Sequence, residues 1–188
     1  MNKKLRGRMS TATWMMGFGL LGLTLVFPVT ARSSMAIRLS FEQLAQRAQR
    51  VVVSRVIASQ SEWDGSHRRI FTRTEIEVEE EVAGQGLRRL TLIQPGGTVE
   101  NLTQRTFGLA SFQPGEKVML FLAGQDKSPH VIGLSQGVFD LTGAGQQEQL
   151  VQRLDQLSFP HDHGQPIILS RKTAVEQIRT IFLKRKLK

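Results

Sequence analysis

Gly133-Leu134-Ser135-Gln136-Gly137 matches G-x-S-x-G, the pattern of a nucleophile elbow, and acids (Asp140, Asp155) and bases (His161, His163) follow it in hydrolase order. In that chemistry a serine hydroxyl attacks an acyl carbon, a histidine takes its proton and a carboxylate orients the histidine. The elbow requires a buried parallel strand before the serine and a helix after it, whereas Val138-Phe139-Asp140-Leu141 continues as strand. The run therefore reads as a bulged or kinked strand, and a small serine hydrolase using Ser135 is the alternative. His161-Asp162-His163 is the tight group of metal-type ligands: two imidazoles flanking a carboxylate suit zinc or copper. A structural or catalytic site generally takes a third or fourth ligand, and the remaining histidines, His67 and His130, sit near expected turns. A solvated linker is the preferred reading, with His161 and His163 as the metal alternative, and no cofactor is expected.

Two further groups have partner-binding chemistry. Glu75, Glu77, Glu79 and Glu81 alternate along one segment, as a surface for cations or a basic partner would, or as the wet face of a strand partly neutralised by arginines. Trp63, Phe71, Phe107 and Phe112 fall outside the strict inward pattern and form a candidate partner surface, weighed against a satellite cluster beneath the irregular segment 98–112. The strand that displays the glutamates is the one a nucleic-acid-binding barrel would line with basic and stacking residues, so nucleic acid is disfavoured.

The chain has 188 residues, enough for one domain with a real core, and a formal charge of +9 from 25 Lys and Arg against 16 Asp and Glu. That surplus is concentrated at the two ends. Lys3, Lys4, Arg6 and Arg8 precede an uncharged run over 9–31 whose apolar heart is Trp14 to Val29, followed by Val29-Thr30-Ala31 and Ser34-Met35-Ala36, both of A-x-A form. This is the layout of a Sec-type signal peptide over residues 1–36, cleaved after Ala31 or Ala36, with export to the periplasm or beyond the cell. Membrane contact is expected only through this segment, before cleavage. Five of the cations go with it, leaving 20 against 16 acids; Lys184, Arg185, Lys186 and Lys188 supply the remaining four, so residues 37–183 are neutral. The chain has no cysteine, so thiol nucleophiles, Cys-ligated zinc and disulfides are all excluded.

Elements must position these residues. Ser40-Phe41-Glu42-Gln43 has capping-box form and opens a short amphipathic helix with Phe41, Leu44, Ala45 and Ala48 on one face. Val51 to Ser59 is β-branched and reads as a strand ending near Trp63, and Asp64-Gly65-Ser66-His67 is a turn. From Ile70 to Val82 apolar and threonine residues take every even position but Glu80 and charges most of the odd ones, the period of a strand with one buried face. A third strand spans Leu87 to Ile93, where Arg88 and Arg89 are placed to face the glutamates, and Pro95-Gly96-Gly97 ends it. Lys117 to Ala123 is apolar on both faces, as in a central strand covered on each side. A fifth strand is expected over 130–141, a short helix over 146–157, and a terminal helix capped by Ser170 with Ala174, Val175, Ile178, Ile181 and Phe182 on one face. This order implies an α+β fold with a small five-stranded antiparallel OB-like barrel between two helices. The barrel with its leading helix would occupy 38–142, and a helical extension with a basic tail 143–188.

The runs Leu44 to Trp63 and Phe71 to Val82, the turn Gln94-Pro95-Gly96-Gly97, the segment Phe112 to Leu122 and Gly133 to Phe139 together resemble a group of exported bacterial proteins. In strand order and turns they are similar to the five-stranded barrel of netrin-like and metalloproteinase-inhibitor domains. The resemblance covers about residues 38 to 142 and includes no catalytic motif. Those inhibitors begin with a cysteine that chelates the protease zinc, which this chain lacks, so their mechanism does not carry over. The expected function is that of an exported, non-catalytic binding or accessory module with an unknown protein or envelope partner. The alternatives are the Ser135 hydrolase and a protease regulator without the cysteine wedge.

Overall fold

The change of period near residue 50, from a helical stripe to a β-branched run, marks where the chain enters its sheet. The structure, a computed structural model, describes residues 34–155, 157–159 and 164–187. In chain order the elements are β1 (Ser34–Met35), α1 (Phe41–Arg47), β2 (Arg50–Trp63), β3 (Ile70–Ala83), β4 (Arg89–Pro95), β5 (Gly97–Val99) and β6 (Leu102–Gln104). Then follow β7 (Lys117–Ala123), β8 (His130–Val131), β9 (Val138–Thr142), β10 (Gln149–Gln152), β11 (Leu157–Ser158), β12 (Ile168–Ser170) and α2 (Arg171–Lys186). The apolar run of the expected signal segment, and His161 and His163, lie outside the described residues.

The fold is α+β: eight strands form one antiparallel sheet in the order β12-β10-β9-β7-β2-β3-β4, with β8 added alongside β7, and two helices accompany it. The sheet does not close, which corrects the expectation of a barrel. β4 and β12 are its two ends, and the edge of β9 that closure would need is taken by β10, through Leu150↔Leu141 and Val151↔Asp140. Part of the segment expected as a helix over 146–157 is thus a strand that extends the sheet. Its Gln- and Leu-rich composition favours a helix only weakly, and pairing with β9 on one side and β12 on the other outweighs it.

Both faces of the sheet are buried at its centre. On β7, Met119 and Phe121 point into a core roofed by Phe41, Leu44, Ala45 and Ala48 at α1 and by Ala174 and Ile178 of α2. Val118, Leu120 and Leu122 point into a second core with Val52, Val56, Ile76, Val78, Leu90, Leu92, Ala110 and Phe112. The expected two-sided strand is therefore present, and the two cores share β2, β3, β7 and β9. Phe41, Phe121 and Phe139 form a ring cluster with centroids 5.5 to 5.7 Å apart. The capping box of α1 forms as expected, with Ser40 Oγ accepting from Gln43 N–H at 3.1 Å and Gln43 Oε1 from Ser40 N–H at 2.9 Å.

The β2–β3 ladder is interrupted by register shifts at Val51/Val52, Val53/Ser54 and Val56/Ala58. Each extra residue reverses which face the next side chain meets. Hence Ile76 and Val78 lie in one core and Val82 in the other, although all three hold even positions. The segment expected as a fifth strand is likewise broken. β8 ends at Val131, Gly133 and Leu134 take left-handed φ of 68° and 64°, and a 3-10 turn covers Leu134–Gly137 before β9 begins. A side chain at Gly137 would overlap the Ile132 carbonyl, so the chain folds back on itself at a point only glycine can occupy.

Candidate functional site

Past Val56 the inner face of the β2–β3 ribbon changes from apolar to hydroxylated. The extra residue at the Val56/Ala58 shift puts Ile57 out in solvent and turns Ser59 and Ser61 inward, opposite Thr74 and Thr72. The hydroxyls pair across the strands, Ser59 with Thr74 at 3.3 Å and Ser61 with Thr72 at 3.0 Å, and Thr72 Oγ1 donates to the Gly96 carbonyl at 2.8 Å. Thr98 N–H also donates to Ser61 Oγ at 3.3 Å, so of the one donor and two acceptor positions of each hydroxyl, Ser61 and Thr72 each keep one acceptor position beyond these bonds.

That space is a cleft of about 520 Å³. The hydroxyl ladder forms one wall, Gln94, Thr98, Thr103 and Gln104 of β4 to β6 another, and the segment 105–113 the third, with Ala110 and Phe112 at the apolar end. The size is that of a small-molecule site. Gly97, at φ +134°, lets the backbone pass directly over the ladder: a Cβ there would overlap the Ser61 and Thr72 hydroxyls. Arg105 is the one charged side chain in the lining, and no Asp, Glu, His or Lys is among the described residues that form it. The cleft therefore offers hydrogen bonds and a patch of apolar contact, without a group suited to general acid or base chemistry at neutral pH.

The third wall is held by Arg153. Its Nε donates to both carboxylate oxygens of Asp140 at 2.9 and 3.0 Å, Nη2 to Glu116 at 2.9 Å, and Nη1 to the Ser111 carbonyl at 2.6 Å. The guanidinium also stacks over the Phe112 ring at 5.7 Å. Burial works to lower the Arg153 pKa, but the hydrogen bonds to Asp140 and Glu116 outweigh it and hold the side chain firmly charged.

No family model, curated protein or solved structure matches the chain.

Ser135 is fully buried in the 3-10 turn, and its hydroxyl has no hydrogen-bond partner among the described residues. Asp140, its nearest candidate acid in sequence, is committed to Arg153. A strand rather than a helix follows the turn, so the surroundings are not those of an elbow. The four aromatic residues separate in the structure. Phe112 is a core residue, Phe107 is 43% exposed, and Trp63, opposite Ile70 at the far end of the β2–β3 ribbon, has its ring 6.2 Å from that of His67. Phe71 is half-buried opposite Glu62. Among the four, Phe112 alone lines the cleft. The alternation of β3 places Thr72 and Thr74 on its buried face, but nothing in the sequence marks Ser59, Ser61 and Gly97 as their neighbours in a site.

The glutamate row is largely bonded within the molecule. Glu81 pairs with the buried Arg50, Glu79 with Arg55 at 2.7 Å and Lys117 at 3.4 Å, and Glu77 meets Arg89 at 4.0 Å, the cross-strand neighbour expected for it. Glu80 reaches Arg171 of α2. Burial pushes the Glu79 carboxyl up, but the hydrogen bond and charge of Arg55 and the charge of Lys117 prevail and hold it below its ordinary value of 4.5. A carboxyl lowered on folding stabilises the protein above its unfolded pKa, and that stability is lost as pH falls through the folded pKa. The melting temperature is thus expected to fall on acidification below about pH 4.5, with a shallower fall in Glu79→Gln, as calorimetry across a pH series would record. An identical slope in the two proteins would show that the Arg55–Glu79–Lys117 group contributes nothing.

Proposed function

We propose that the protein is an exported, non-catalytic binding module whose ligand sits in the hydroxyl-lined cleft. The observation that carries the reading is the composition of that cleft: paired Ser and Thr hydroxyls and side-chain amides around an apolar end, with a single charge. Such a lining suits a neutral ligand rich in hydrogen-bonding groups, of which soluble oligosaccharides are the natural first class to test. Export is supported by the cationic start and uncharged run of residues 1–31, and by a body that carries no thiol to protect. β2, β3, β4, β7 and β9 correspond to the strands that resemble the netrin-like barrel, and the fold is read as an opened version of it, extended by β10 and β12.

Saturation-transfer NMR of the exported protein against a mixture of neutral oligosaccharides would test the reading. Gly97→Val, whose side chain would displace the Ser61 and Thr72 hydroxyls, is expected to abolish transfer. The milder Ser61→Ala/Thr72→Val pair, which removes two hydroxyls, is expected to weaken binding about tenfold or more at roughly 1 kcal/mol per hydrogen bond. Transfer that survives both substitutions would place the ligand elsewhere. Hydrolysis of activated esters that vanishes in Ser135→Ala would replace the binding module with the serine hydrolase.

A further inference from the structure

The last turns of α2 have a composition that the fold itself does not require. From Arg179 to Leu187 the chain carries Arg179, Lys184, Arg185 and Lys186 and no acid, whereas residues 37–183 are balanced. Cations at a helix C-terminus are favoured by the helix dipole, which accounts for the charge but not for the apolar residues among them. Leu183 and Leu187 are 62% and 86% exposed, one helical turn apart and turned away from the buried face of Ala174 and Ile178. Leu183 also lines a groove of about 480 Å³ with Val82, Ala83 and Phe182 and with the cations Arg185, Lys186 and Arg179, the last paired with Glu80 at 3.8 Å. Arg185 is anchored, donating to the Ala48 carbonyl at 2.6 Å and lying over the Phe182 ring, while Lys184 and Lys186 have no ion pair among the described residues.

We propose that this end of α2 docks the folded protein on anionic lipid bilayers. Leu183 and Leu187 enter the acyl boundary, the groove takes up apolar lipid surface, and Lys184 and Lys186 meet the headgroup phosphates. Two exposed leucines one turn apart inside a cationic cluster suit a surface that is apolar beneath and anionic above; an acidic protein segment would use the cations and leave the leucines wet. No helix of the described residues is long and apolar enough to cross a membrane, so the contact is peripheral. It is separate from the cleft and stands whether or not the cleft binds a ligand.

Co-sedimentation of the full chain with mixed phosphatidylglycerol and phosphatidylcholine vesicles, and with phosphatidylcholine vesicles alone, tests it. Binding is expected to the mixed vesicles and to weaken as salt rises. Lys184→Gln/Lys186→Gln is expected to reduce it about thirtyfold, the effect of two surface cations. Lys184→Arg/Lys186→Arg should retain it, and Leu183→Glu/Leu187→Glu should abolish it. Equal binding to both vesicle types would overturn the proposal, as would binding unchanged in the glutamine and glutamate variants, which would assign attachment to the N-terminal apolar segment. If polyglutamate displaces the protein and the leucine variant binds as tightly as the parent, the surface is a site for acidic chains and the proposal fails.

Discussion

Phe121→Ala is expected to lower the free energy of unfolding by about 3–5 kcal/mol, the largest effect of any single substitution considered for this protein. Phe121 is fully buried in β7, between β2 and β9, and its ring meets Phe41 edge-on at 5.5 Å and Phe139 at 5.5 Å. Truncation would remove the centre of that cluster beneath α1, and neighbours fixed in a sheet cannot close the cavity. The loss would be read as a shift of the denaturation midpoint in urea at unchanged slope. A companion Ile93→Ala on the exposed side of β4, where the side chain is 54% exposed, should stay within about 0.5 kcal/mol. A cost below about 1 kcal/mol for Phe121→Ala would mean that the helix-covered core is not the main support of the fold.

Arg153→Met is expected to cost about 2–3 kcal/mol. The Arg153 side chain is 11% exposed, and its removal strips the partner from Asp140 and Glu116 and frees the Ser111 carbonyl. Asp140 and Glu116 retain 39% and 32% of their side-chain exposure, and water can solvate them in part, which keeps the cost below that of a fully enclosed pair. Arg153→Lys should recover little, because an ammonium cannot reproduce the planar fork that serves three acceptors at once. The loss should be local as well as global: hydrogen exchange of residues 108–113 should quicken more than that of β7. Uniform quickening across the sheet would show that Arg153 acts only on overall stability, not on the wall of the cleft.

What could be read in the sequence was set by local pattern. The Ser40 capping box, the helix face of Ala174 and Ile178, the alternation of Ile70 to Ile76 and the two-sided burial of Val118 to Leu122 each follow from the residues of one segment, and each is present. Features decided by pairing between distant segments were not legible. Gln149–Gln152 becomes a strand because β9 offers it an edge, and that same pairing keeps the sheet open. The β2–β3 shifts leave no mark on composition, so strict alternation keeps Val82 on the face of Val78 and gives no sign that Ser59 and Ser61 join Thr72 and Thr74 on the inner face. Phe112 reads in the sequence as either a partner-surface or a satellite-cluster residue; it lies in the buried core, and nothing near it in sequence announces Arg153, forty-one positions on, as the group that covers its ring.

The extra residue at Ile57 divides β2 into two reading frames. Before it, the inward positions serve the core and tolerate little change; after it, Ser59 and Ser61 are addressed independently of Val52 and Val56. A lineage could therefore exchange the hydroxyls for other polar or apolar side chains, and so alter what the cleft accepts, while the strand that carries both halves stays anchored. The same division is a vulnerability. Loss of one residue near Ile57 would leave the apolar half in place and rotate the recognition half outward, a change in specificity that a measurement of folding alone would pass over.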